Sequence, residues 1–314
     1  MAKIDRRQLM SLSGAAGMAA LLPAVTIPGA PALAKAQHSL KSGAFEVLTF
    51  SDGYLSLNPR MAAPNADPEK YKAAQAAAGN TGNVYRSPLN VSLIKTGKEL
   101  ILVDVGSGDR FMSSAGKLVA ALEAAGINAE QITRVIYTHA HPDHLWGSVN
   151  EFDELSFPQA SFYISETEWN YWTAKDAITK ISKDRQFFVV GAQRNLKAVK
   201  GRLKTVKPGD EIISGITLRD TKGHTPGHVS VEVGSGNDRI LILGDALTHP
   251  IISFQYPQWQ PSSDQVPDVA AATRQKLLPA LAADKTRIIG YHLPGGGVGR
   301  VEAKGTGFRF APGA

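Results

Sequence analysis

Cysteine is absent from all 314 residues. That excludes disulfides as a source of stability, and it excludes any metal site built on thiolates. Long apolar runs are scarce too. The one N-terminal stretch, from Leu12 to Val25, is too short and too interrupted by small residues to span a bilayer comfortably, and no thiol is available for a lipid anchor, so no stable membrane anchor is expected. There is no basic run. Lys3, Arg6 and Arg7 stand against Asp5 in the first 34 residues, and without them 31 basic and 27 acidic residues leave a charge of only +4. A nucleic-acid groove is not indicated. Histidine is rare as well, at 8 residues, which makes its distribution informative.

The hydrophobic content is 43%, enough to bury a large core in one or two domains. The N-terminus has the layout of an export signal. A paired-arginine segment, Asp5-Arg6-Arg7-Gln8-Leu9-Met10, precedes the apolar stretch, and Ala32-Leu33-Ala34 and Ala34-Lys35-Ala36 both offer small-residue cleavage sites. The segment resembles a twin-arginine signal, which implies the twin-arginine export machinery as a partner and a periplasmic or secreted destination; ordinary Sec export is the other route the pattern permits. The expected organisation is therefore a signal at 1–34 and a single globular domain at 35–314.

Within that domain, β-type alternation marks strands at Phe45–Phe50 (ended by a turn at Asp52-Gly53), Asn90–Lys95, Glu99–Val105, Ile132–Tyr137, Ser161–Ile164, Arg202–Val206, Glu211–Ile213, Thr217–Asp220, Val229–Val233, Arg239–Leu243 and Arg287–Gly290. Helical spacing marks Ser113–Ala125, a helix carrying Trp169 and Trp172, Asp176–Lys200 and Val269–Ala283. The segment from Asn58 to Gly82 reads as an excursion at a pocket rim or a homodimer contact, or as a plain surface loop with one helix over Glu69–Ala78.

Three of the eight histidines fall in Thr138-His139-Ala140-His141-Pro142-Asp143-His144, directly after a strand. Neutral imidazole and carboxylate are ligands for Zn²⁺ and similar ions. One intervening residue lets His139 and His141 reach one ion from an extended turn, and Pro142 favours that extension. Asp143 and His144 point differently and are placed for a second ion. Other strands end in ligand-type residues at His224, within Gly223-His224-Thr225-Pro226-Gly227-His228, at Asp245 and at His292. Asp104, after another strand, is suited either to orient a metal-bound histidine from behind or to cap its turn.

These motifs, in this order, resemble the metallo-β-lactamase superfamily over residues 43–314. The resemblance implies an α/β, four-layer αββα sandwich with two divalent ions at the sheet edge, most simply Zn²⁺, with Mn, Co or Fe as alternatives. His139, His141 and His224 would hold one ion and Asp143, His144 and His292 the other, with Asp245 bridging and with Asp104 and His228 supporting from behind. The implied chemistry is hydrolysis by a metal-bridging hydroxide, with Asp143 and Asp245 as the catalytic carboxylates. Penicillin-cleaving members often carry cysteine where Asp245 stands. The exported methyl parathion hydrolases and lactonases match better, so lactones, aryl esters or organophosphate triesters are the expected small-molecule substrates. Many acyl-homoserine lactonases place a tyrosine where Thr248 stands. A glyoxalase-II-like thioester hydrolase, a mononuclear iron enzyme and a non-catalytic metal-binding periplasmic protein are the alternatives. Trp146, Trp169, Trp172, Phe187, Phe188, Phe254 and Trp259 are the aromatic candidates for the pocket wall, two or three of which are expected to reach it.

Overall fold

The computed structural model describes residues 36–79 and 82–313; the expected export signal lies outside the described residues. Two seven-stranded sheets form the centre. The first runs in chain order: β1 (His38–Ser42), β2 (Phe45–Leu57), β3 (Tyr85–Thr96), β4 (Glu99–Val103), β5 (Arg134–Ile136), β6 (Ser161–Ser165) and β7 (Leu203–Val206). The second comprises β8 (Glu211–Ile213), β9 (Ile216–Asp220), β10 (Val229–Val233), β11 (Ile240–Ile242), β12 (Arg287–Ile289), β13 (Val298–Lys304) and β14 (Gly307–Pro312), lying side by side in reverse order. Pairing is antiparallel from β1 to β4 and parallel from β4 to β7 in the first sheet, and in the second it is antiparallel except between β11 and β12, which are parallel.

The layers follow from which side of each strand is apolar. Val47, Ile94, Ile101 and Ile136 of the first sheet meet Leu218, Val231, Ile240 and Ile289 of the second in one buried cluster between the sheets. The outer face of the first sheet packs Leu93, Leu102, Val135 and Phe162 against α2 (Leu118–Ala124), α4 (Glu166–Thr173) and α5 (Gln186–Val199). The outer face of the second carries Leu241, Ile288 and Val301 against α6 (Ile252–Gln255) and α7 (Pro267–Ala283). The arrangement is the expected αββα sandwich. A helix α1 (Pro68–Ala77) follows the end of β2, capped by the Asp67 side chain on Lys70 N at 3.0 Å.

Three local expectations are corrected. Asp52-Gly53 is not a turn: β2 runs through it with a register shift between Ser51 and Gly53. The reason is the Asp52 carboxylate, which is buried and accepts from the amides of Ser107 (2.8 Å), Gly116 (3.1 Å) and Leu118 (2.9 Å). A β-bulge re-aims a side chain, and this one points a carboxylate at three loop amides. The same contacts explain why α2 begins only at Leu118, since Lys117 N also donates to Asp52 O at 3.1 Å. Over 176–200 only Gln186–Val199 is α-helix, preceded by two short 3₁₀ turns.

Candidate metal centre

Parallel strands end at one edge of their sheet, and that is where the ligand-type residues gather. β4 delivers Asp104, β5 delivers His139, β11 delivers Asp245 and β12 delivers His292. His141 is extended (φ −68°, ψ 158°) and caps a single helical turn, α3 (Pro142–Leu145), so Pro142 acts as its position before a helix predicts. That turn brings the His144 ring to 4.1 Å from that of His139 and sets Asp143 beside it. All seven residues are buried, none more than 6% exposed. Their ligand atoms fall into three groups, His139/His141/His224, His139/His144/Asp245 and Asp143/His144/His292, each within 4.8 Å.

The hydrogen bonds on the far side of each ring determine what the near side offers. Asp104 is a carboxylate acceptor 2.8 Å from His144 Nδ1, so that nitrogen donates and Nε2 is bare. Asp264 holds His224 Nδ1 at 3.0 Å in the same way, and Arg274 steadies Asp264 at 2.8 Å. His292 Nδ1 donates to Pro88 O at 3.0 Å. The Thr138 hydroxyl gives its proton to Asp104 at 2.8 Å and so accepts from His139 Nδ1 at 3.0 Å. His141 faces inward through Nδ1, and its Nε2 lies 3.2 Å from the Gln265 amide.

Bare nitrogens and carboxylate oxygens therefore converge. His224 Nε2 lies 2.9 Å from His141 Nδ1, and His144 Nε2 lies 3.1 Å from Asp245 Oδ1 and 3.5 Å from Asp143 Oδ2. His139 Nε2, His144 Nε2, Asp143 Oδ2 and Asp245 Oδ1 are buried and have no hydrogen-bond partner. Buried polar atoms left unsatisfied are costly, and lone pairs facing lone pairs at such distances repel. Divalent cations remove both problems, so these residues fit a divalent-metal centre.

Burial and neighbouring charges divide the rings: His139 and His141 are held neutral, whereas against burial the carboxylates of Asp245, Asp143 and Asp104 raise His144, and Asp245 and Asp143 raise His292, so a cation at those two would take the place of a proton. Burial, with the charges of His144 and His141, holds His139 well below the usual histidine range. Burial and His224 do the same to His141. Both are neutral and free to coordinate. Burial also opposes charge on His292, but the carboxylates of Asp245 and Asp143 outweigh it and carry it up to about 10. Burial lowers His228 to about 3. Its neutral Nε2 accepts from Asp245 N at 2.9 Å while Nδ1 faces Thr221 O at 3.0 Å, so it fixes the backbone of Asp245 rather than joining the ligand atoms. Gly244 makes that approach possible, since a Cβ there would lie 2.7 Å from the His228 ring.

The centre floors a cavity of about 120 Å³. Leu55, Leu57, Pro59, Met61, Ala62, Phe111 and Phe188 form its apolar wall, with Tyr85, Arg185, Thr248 and His249 as polar groups. The excursion after β2 is thus at the pocket rim. Of the seven aromatic candidates for the pocket wall, with two or three expected to reach it, Phe188 lines it, its ring centroid 5.6 Å from that of His141. The other six do not line it, so one reaches the pocket rather than the two or three expected. Trp172 is fully buried behind the site and donates to Glu168 at 2.6 Å. Trp146 packs edge-on to Phe111, and Trp169 belongs to the outer core of the first sheet. Phe254 packs on Phe310, Trp259 stacks on Tyr256 at 4.0 Å, and Phe187 is half exposed to solvent. Large rings supply most apolar area and go where the core is deepest, which leaves smaller aliphatic residues for the wall. Asp264, Arg274, Gln265 and Glu168 were not legible as site residues; each sits in an unpatterned loop or helix and becomes relevant only through long-range contact.

Comparison with known proteins agrees with this geometry. The family model of the metallo-beta-lactamase superfamily matches residues 84–292. The fold superposes on AidC, a dizinc quorum-quenching lactonase in complex with a product, with a TM-score of 0.83, 30% identity, and coverage of 90% of this chain and 99% of that one. It superposes on the hydrolase AbOPH of the beta lactamase superfamily with a TM-score of 0.82, 27% identity, and coverage of 89% and 98%. A probable metallo-hydrolase of Mycobacterium bovis is 25% identical over 187 residues, 51% of this chain and 57% of that protein, so the match spans little more than half of that relative.

Proposed function

The chain belongs to the metallo-beta-lactamase superfamily, and from that premise we propose that it is a hydrolase of lactones or aryl esters working with two divalent ions, most simply Zn²⁺. One observation carries this reading: buried, bare imidazole nitrogens and unpartnered carboxylate oxygens converge on a single point at the floor of a cavity. When bound, such ions lower the pKa of a water from 15.7 towards about 7 and hold a carbonyl or phosphoryl oxygen.

The chain's own residues do the rest. Asp143 and Asp245 line the cavity, and the unpartnered Asp143 Oδ2 is the atom placed to take a proton and pass it to the leaving oxygen. Leu55, Leu57, Met61, Phe111 and Phe188 receive an acyl chain or aryl ring and exclude water around it. Thr248 occupies the position of the tyrosine found in many lactonases. Burial pushes Tyr85 up to about 12, so its phenol keeps its proton at neutral pH; Tyr85 and Thr248, with Ser87 and Ser263, are hydroxyls on the wall able to orient a substrate oxygen. The likeness to a lactonase with product bound favours lactones first, and organophosphate triesters such as methyl parathion are the second substrate class to try.

The test is hydrolysis of a lactone, an aryl ester, a phosphotriester, a thioester and a β-lactam by the purified protein, before and after chelation, with His139→Ala alongside. Lactone or ester turnover lost on chelation and restored by Zn²⁺ is expected. Turnover that survives both chelation and His139→Ala would overturn the reading. We also propose export to the periplasm or medium, supported by the Arg6-Arg7 pattern. Retention of an Arg6→Lys, Arg7→Lys variant in the cytoplasm is the expected result, and unchanged export of that variant would reject the twin-arginine route.

A further inference from the structure

We propose that Glu168, which is no ligand, is the positioning residue that locks together the two loops carrying His139, His141 and His224, and so sets the metal affinity of that half of the centre. The inference rests on the two-ion reading above. Glu168 lies on α4 and is fully buried. Its Oε1 accepts from Ala140 N at 3.0 Å, the amide between His139 and His141, and from Trp172 Nε1 at 2.6 Å. Its Oε2 accepts from the Thr225 hydroxyl at 2.8 Å and from Gly227 N at 2.9 Å, both in the loop that begins at His224.

All four partners are placed as donors, so the position calls for a carboxylate. No lysine or arginine forms an ion pair with it among the described residues. Burying an anion without a cation is expensive, and filling space here would need only an apolar side chain. What an anion adds is a rigid link: one planar group with an oxygen on each loop. Gly227 shows how tight the link is, because a Cβ there would lie 2.2 Å from Glu168 N. Histidine ligands must hold their nitrogens about 2.0–2.1 Å from a zinc ion. Two loops from different sheets meet that tolerance only if something ties them; Val229 N donates to Thr138 O beside them and Gln265 touches His224 O and the His141 ring, but Glu168 is the side chain that takes backbone amides of both loops.

The experiment uses the full chain loaded with Co²⁺, whose visible absorption reports ligand geometry, together with chelator competition for affinity. In Glu168→Gln one oxygen becomes an amide group that cannot accept from Ala140 N or Gly227 N. Affinity for the more tightly bound Co²⁺ is expected to fall about 10–100-fold, with an altered visible spectrum. Thr225→Val, which removes one donor and keeps the shape, should move both readouts the same way by less. Trp172→Phe deletes the bond internal to α4 and should lower the melting temperature while leaving affinity and spectrum as in the wild type. Wild-type affinity and spectrum in both Glu168→Gln and Thr225→Val, whatever their melting temperatures, would overturn the proposal. Should Glu168→Gln fail to fold, Thr225→Val decides alone. A wild-type protein that takes up no Co²⁺ would defeat the two-ion reading, a result distinct from a loaded protein indifferent to Glu168.

Discussion

Replacing Asp104 by asparagine removes one buried charge with little change in volume, and its effect can be worked out atom by atom. Asp104 Oδ1 accepts from Thr138 N at 2.7 Å, and Oδ2 accepts from Thr138 Oγ1 and His144 Nδ1 at 2.8 Å each. Thr138 N can only donate, so the asparagine carbonyl must stay against it and the amide NH₂ faces the other two groups. His144 Nδ1 then has to accept, which moves the ring proton to Nε2. That is the atom 3.1 Å from Asp245 Oδ1 and 3.5 Å from Asp143 Oδ2, and with a proton on it His144 can no longer coordinate. A loss of about 10–100-fold in metal affinity follows from disturbing such a partner, or roughly 1.4–2.8 kcal/mol. Backbone strain does not confuse the result: Asp104 sits at φ 64°, a region asparagine tolerates well. Asp104→Ala is less informative, because it strands three buried donors at about 1–3 kcal/mol each, comparable with a whole domain's net stability. The assay is chelator competition for Zn²⁺ together with thermal unfolding of the metal-free protein. Asp104→Asn with wild-type affinity would refute the tautomer argument.

Asp245→Ala removes oxygens that face His144, His224 and His292 at 3.1–3.2 Å. It is expected to abolish binding of both ions, and retention of two ions with full turnover would show that Asp245 does not bridge. Asp52→Ala leaves the amides of Ser107, Gly116 and Leu118 without their acceptor. At about 1–3 kcal/mol each, the melting temperature should drop by roughly 6 °C or more; a drop of only a degree or two would mean those amides find other partners. Burial lowers His249 from 6.5 to about 4. Between those values the unfolded chain binds more protons, so this stabilisation is complete above pH 6.5 and is lost as pH falls towards 4. The linkage predicts about 2 kcal/mol lost at this one group between pH 7 and pH 5. Unfolding of the metal-free protein at both pH values, set against His249→Asn, checks it: equal losses in the two proteins would contradict the assignment.

The ligand set was readable because metal chemistry restricts residue type and because strands announce themselves by alternation. His139, His141, Asp143 and His144 stand within one motif, and His224, Asp245 and His292 each follow an apolar run. The four layers were implied by the family resemblance those motifs carry. The groups behind the ligands were less readable in proportion to their distance along the chain. Asp104, at a strand end, could be read as either a turn cap or a carboxylate behind a metal-bound histidine, while Asp264 and Glu168 reach their partners across 40 and 57 residues with no repeat or spacing to mark them. Asp52-Gly53 misled for a local reason, since a turn and a β-bulge draw on the same residue types. The pocket wall misled for a global one. Aromatic side chains carry the most apolar surface, so Trp172 and Phe254 went to the core and Leu55 and Leu57 were left beside the cavity.

Counting metal per polypeptide by elemental mass spectrometry, on protein purified without added metal and on the same protein with His139→Ala, goes straight to the central claim. Two divalent ions per wild-type chain, with the His139→Ala variant retaining fewer, is the predicted result. A catalytically active wild-type protein carrying no stoichiometric metal would contradict it.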